Sequence, residues 1–97
     1  MPTLNTNSSI TISRKSTIGG AAIPFHILID GESAGKVNNG KTVTIPVSSG
    51  IHKVCIVVPI WHRNNRSDEI TIDLSSTQSI KLTCGYRAPS FVYLMKS

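Results

Sequence analysis

The chain has 97 residues, 39% of them apolar and 15% charged. That suits one folded domain and excludes a disordered polymer, which would be more charged and less apolar. Apolar runs such as Cys55 to Val58 are far too short to cross a bilayer, so no membrane insertion is expected within this chain. Ten Lys and Arg against five Asp and Glu give a net charge of +5. The basic residues are scattered, from Arg14 and Lys15 through Lys36, Lys41, Lys53, Arg63, Arg66, Lys81 and Arg87 to Lys96, with no run long enough to form a basic arm. A solvated coat with a positive bias is therefore the first reading, and an anionic ligand remains open.

Only four Ala occur (Ala21, Ala22, Ala34, Ala88) among many Ile, Val, Thr and Ser, and β-branched residues favour the pleated surface. Residues 1–7 carry no period and are expected to fray. From Ser8 the period is two: Ile10 and Ile12 alternate with Thr11 and Ser13, followed by a loop around Gly19-Gly20. Phe25, Ile27 and Ile29 then share a face with Ile23, and His26 and Leu28 lie on the other. Pro24 cannot donate to a ladder, so it belongs at the start of this strand or on an edge.

Asp30-Gly31 and Asn38-Asn39-Gly40 are tight-turn signals that bracket a short return strand from Ala34 to Val37. Val43, Ile45 and Val47 form the next alternating set, and Ser48-Ser49-Gly50 turns the chain again. From His52 to Ile60, Val54, Ile56 and Val58 lie on one face and Lys53, Cys55 and Val57 on the other, which predicts a central strand covered on both sides. Residues 61–68 read as the longest polar loop. Ile70, Ile72 and Leu74 alternate after it, then Ile80, Leu82 and Cys84; Gly85 to Ser90 reads as a loop, and Phe91 to Met95 as a last strand. The expected architecture is a single all-β domain over residues 1–97. It would be an antiparallel β-sandwich of seven or eight strands, of Ig-like or prealbumin-like type, with a core of Ile27, Ile29, Val43, Ile45, Val54, Ile56, Ile70, Ile72, Ile80 and Leu82.

The stretch Ile27-Leu28-Ile29-Asp30-Gly31, Gly35-Lys36-Val37, Asn39-Gly40 and Val47-Ser48-Ser49-Gly50-Ile51-His52 resembles the turn cadence of PEGA-like and related small bacterial β-sandwich domains. Ser49 stands where that pattern has Pro, and no Thr-Pro follows Gly35. The resemblance implies a bacterial, non-catalytic interaction or accessory module, commonly attached to envelope or membrane proteins, and it carries over no catalytic residue.

The residues themselves also point away from catalysis. Cys55 lies mid-strand and reads as a packed thiol; Cys84, just before Gly85, reads as a strand end with more access. Neither has a second Cys or His at ligand spacing, and His26, His52 and His62 are 26 and 10 positions apart, so no metal set and no cofactor is expected. His52 follows a turn, where its ring can satisfy backbone groups. Residues 1–9 lack an apolar core, so no signal peptide is read and a reducing cytoplasm with free thiols is expected.

The candidate binding set is Trp61, His62, Arg63 and Arg66: an indole can stack on a base or sugar, and guanidinium forks take carboxylates and phosphates. The plainer reading, which weighs more, has Trp61 as a core cap at the end of the sandwich and the arginines as solubilising; Tyr86-Arg87 is expected near the same end. The chain thus reads as a non-enzymatic module with a protein partner or self-association through an edge strand. The alternative is an anion, nucleic-acid or glycan binder.

Overall fold

The protein is described here from a computed structural model, over residues 8–16, 23–60, 63–74, 79–87 and 91–97. The expectation of frayed residues 1–7 lies outside this set. The described elements are all strands: β1 (Ser8–Arg14), β2 (Phe25–Ile29), β3 (Glu32–Val37), β4 (Thr42–Val47), β5 (Gly50–Ile60), β6 (Arg63–Arg66), β7 (Ile70–Leu74), β8 (Ser79–Arg87) and β9 (Phe91–Lys96). They build two sheets packed as a β-sandwich. One has the order β4-β1-β8-β9; the other has β3-β2-β5, with β6 and β7 sharing the far edge of β5.

The period-two pattern decides which side chains enter the core. Ile10 and Ile12 on β1, Phe25 and Ile27 on β2, Val54, Ile56 and Val58 on β5, and Leu82 on β8 are almost wholly inaccessible. Val43, Ile45, Ile70 and Ile80 are only half-buried against that core, whereas Ile10, Ile12, Phe25, Val37, Val47, Val58, Leu74, Cys84, Val92 and Leu94 belong to it. The first strand, absent from the expected core, contributes Ile10 and Ile12 because it sits centrally, between β4 and β8.

Several expectations need correction. The sandwich is not wholly antiparallel: β1 runs parallel to β8, with Ile10 opposite Ile80 and Ile12 opposite Leu82. The chain between them is long enough to supply the crossover that a parallel pair demands. Residues 61–68 are not one polar loop, since Arg63–Arg66 pair with Val57–Ile60 as β6. Likewise Gly85–Arg87 of the expected 85–90 loop continue β8 against β9, and residues 88–90 lie outside the described set. Both stretches are polar or Gly-bearing, and backbone pairing overrides that composition. Gly85 suits its place because a Cβ there would lie 2.5 Å from the hydroxyl oxygen of Tyr93, whose ring covers it from β9.

Arg14 is also not part of a solvated coat. It is buried at the end of β1, with its guanidinium 3.6 Å from the centroid of the Phe25 ring. Its Nη1 donates to the carbonyls of Ile23 at 2.7 Å and Val37 at 3.2 Å. Desolvation lowers its pKa, yet guanidinium remains charged at physiological pH. The side chain therefore ties β1 of one sheet to the ends of β2 and β3 in the other.

The central position expected for residues 52–60 holds, since β5 pairs β2 on one edge and β6 and β7 on the other, but the expected cover on both sides does not: on the outer face Lys53 and Pro59 are exposed and Val57 is half-buried. Between β6 and β7 the ladder is kept closed by Ser67. Its N–H donates to the Ile56 carbonyl at 2.9 Å, and its Oγ accepts the Ile56 N–H at 2.9 Å while donating to the Asp68 carbonyl at 3.0 Å. A hydroxyl here replaces the strand carbonyl that the irregularity removes. Ser67→Ala leaves the buried Ile56 N–H without its acceptor, and equilibrium urea unfolding should show a loss of about 2 kcal/mol. A loss below about 0.5 kcal/mol would show that another group takes over that N–H.

Candidate functional site

Two neighbouring features of the five-stranded sheet bear on function. The first is at the turn end of β2 and β5. Asp30 and Gly31 adopt φ of 55° and 83°, and Ile29 pairs with Glu32 across them, as a two-residue turn of type I′ requires. Asp is among the few side chains that tolerate this region. The Asp30 N–H donates to the Lys53 carbonyl at 2.8 Å, and its Oδ1 accepts the Lys53 N–H at 2.9 Å. Its Oδ2 lies 2.7 Å from His52 Nδ1, while His52 Nε2 lies 2.7 Å from the Ser48 carbonyl.

Both partners of the imidazole accept, so the protonated ring, which donates from both nitrogens, satisfies them together. The hydrogen bond to Asp30, then that to Ser48, raises the His52 pKa; the same hydrogen bond and that from the Lys53 N–H lower the Asp30 pKa. The expected role of His52 in satisfying turn backbone is met through Ser48. The part of Asp30 was legible only as a turn residue.

The second feature is an open groove of about 450 Å³ on the outer face of the same sheet, lined by His26, Leu28, Ser33, Val57, Pro59 and Arg66. Strand register aligns one row across it: Lys36 beside His26, His26 beside Val57, Val57 beside Arg66. Leu28, Val57 and Pro59 give the groove its apolar lining and the exposed Arg66 borders it, while Lys36, exposed at the other end of the row, stands next to the lining residue His26. Among the described residues the one ion pair is Asp30–His52, so neither end cation has a carboxylate partner there. Ser33 reaches the groove because pairing of β2 with β3 shifts register between Ile27 and Leu28.

Of the predicted binding set, Arg66 is in this groove and Arg63 opens β6, opposite Ile60. Trp61 and His62 lie outside the described residues. His26 and Lys36 were not grouped with Arg66 by sequence reasoning. The available signal was Leu28, an apolar residue on the outward phase beside His26. The adjacent Asp68 and Glu69 are exposed, as expected for a strand entrance.

Cys55 and Cys84 are free and buried. The accessibility expected for Cys84 is not found: it lies inside β8, fully inaccessible, and burial pushes its pKa up to about 11 despite the nearby Arg14 charge. Among the described residues no three His, Cys, Asp or Glu side chains gather as a metal site, and no helix is long and apolar enough to cross a membrane. No protein-family model, curated protein or solved structure matches the chain.

The clamp makes stability depend on pH with a definite sign. The raised pKa of His52 gives a contribution fully present below the unfolded value of 6.5 and lost as pH rises through the folded value. The lowered pKa of Asp30 gives one present above 3.8 and lost as pH falls through its folded value. The urea midpoint should therefore fall from about pH 5.5 to about pH 8.5, and this slope should flatten in His52→Gln. An equal slope in the variant would assign the pH dependence to other groups.

Proposed function

We propose that this protein is a non-enzymatic β-sandwich interaction module that works by docking a protein partner. The observation that carries this reading is the engagement of the Asp30–His52 pair, the one carboxylate–imidazole pair among the described residues. Asp30, His52 and Ser48 have the order of a hydrolytic triad, but His52 Nε2 faces the Ser48 carbonyl and not a hydroxyl. With one ring nitrogen held by Asp30 and the other by the Ser48 carbonyl, neither is open to a nucleophile's proton. The thiols support the same reading, since a buried Cys84 with a raised pKa is a poor nucleophile and Cys55 is enclosed in β5. Two buried free thiols also fit a reducing compartment. The turn cadence shared with PEGA-like bacterial domains points to an accessory role of the same kind.

The alternative is an anion, nucleic-acid or glycan binder built on residues 61–66, favoured by the exposed Arg66 at the groove. Trp61 is the sole tryptophan and reports on it directly. Titration with single-stranded oligonucleotide or an anionic glycan should leave its emission unchanged under the module reading. Quenching that weakens as salt rises would transfer the function to the polyanion reading.

A further inference from the structure

We propose that the outer groove of the five-stranded sheet docks an extended acidic segment of a partner protein, with the pattern acid-x-apolar-x-acid. The inference rests on the module reading above and names the partner's chemistry. Lys36 and Arg66 stand at opposite ends of a row that crosses β3, β2, β5 and β6. Three inter-strand steps place their backbones about 14 Å apart. In an extended peptide, side chains at positions i, i+2 and i+4 share a face, and the outer two are separated by about 13 Å. Two carboxylates at that separation meet the two cations, and the apolar side chain between them lies on Leu28, Val57 and Pro59.

The charge pattern selects against other occupants. The four acids outside the clamp, Glu32, Asp68, Glu69 and Asp73, are all off this row, so nothing in it repels an anionic ligand. A nucleic acid repeats its charge at every nucleotide and needs cations along its whole track, whereas here His26 and Val57 separate the two end cations, with Leu28 and Pro59 to either side of the row. A wholly apolar segment would leave Lys36 and Arg66 unused. His26 and Ser33 add polar edges that can bond a peptide backbone lying across the strands.

The test is a titration of the ¹⁵N-labelled protein with the capped peptide Gly-Glu-Ser-Leu-Ser-Glu-Gly, followed by amide shifts. A second arm uses the same peptide with Gln in place of both Glu. The acidic peptide should shift His26, Leu28, Lys36, Val57 and Arg66, with the Gln peptide binding at least about fivefold more weakly. Arg66→Glu and Lys36→Glu should each weaken binding by a similar factor, and Lys81→Glu on the other sheet should not. Both positions are exposed, and the dispersed amide spectrum verifies the fold of each variant.

Shifts confined to the other sheet, around Thr11, Thr44 and Lys81, would overturn the groove assignment and leave the module reading standing. No shifts with either peptide would overturn it as well. If that silence came with salt-dependent quenching of Trp61 by oligonucleotide, the module reading would fall too. Equal binding of the Gln peptide would overturn the acidic pattern.

Discussion

The register of β2 on β5 is the constraint on which both the core and the groove depend, and Asp30 is the residue that fixes it at the turn end. Its carboxylate and backbone N–H engage the N–H and carbonyl of Lys53, and the same carboxylate holds the ring of His52. A slip by one residue would exchange the two faces of β2. Phe25, Ile27 and Ile29 would leave the core, and His26 and Leu28 would enter it. The imidazolium gains a counter-ion and a carbonyl in return for its burial, whereas Asp30 is half-exposed. Solvent therefore screens the pair, and its worth lies more in geometry than in net stability.

The two sheets are tied by a different device. Arg14 takes its charge into the interior, where the Phe25 ring and the carbonyls of Ile23 and Val37 receive it. Planar, delocalised guanidinium is more weakly hydrated than ammonium, which is why Arg suits this position and Lys would not. Ser67 plays a comparable part on the far edge of β5, where its hydroxyl keeps Ile56 bonded across the break between β6 and β7. Asp30, Arg14 and Ser67 each satisfy backbone groups where regular pairing ends.

The strand pattern was open to reading wherever side chains alternate. Phe25 to Ile29, Val43 to Val47 and Ile70 to Leu74 all form strands with the expected inward residues, and Asp30-Gly31 turns as its chemistry dictates. Alternation fails as a signal where backbone pairing alone makes the strand. Arg63–Arg66 has no apolar residue to mark it, and Gly85 breaks the pattern of β8 until the Tyr93 ring on the next strand fills its space. The parallel pairing of β1 with β8 is a long-range choice that no local period records. At the candidate site, Arg66 was visible by its charge and its proximity to Trp61. Its neighbours Lys36, His26 and Val57 come from three other strands, so only topology could bring them into one row.

Asp30 thus sets the phase of this sheet, and the phase turns the row of Lys36, His26, Val57 and Arg66 outward. The most direct measurement is the pair of ¹⁵N ring shifts of His52 across a pH titration, in the native protein and in Asp30→Asn. The clamp predicts that both ring nitrogens carry protons at neutral pH, with a midpoint above the ordinary histidine value that falls in the variant. A single unprotonated ring nitrogen at neutral pH, unchanged by Asp30→Asn, would contradict it.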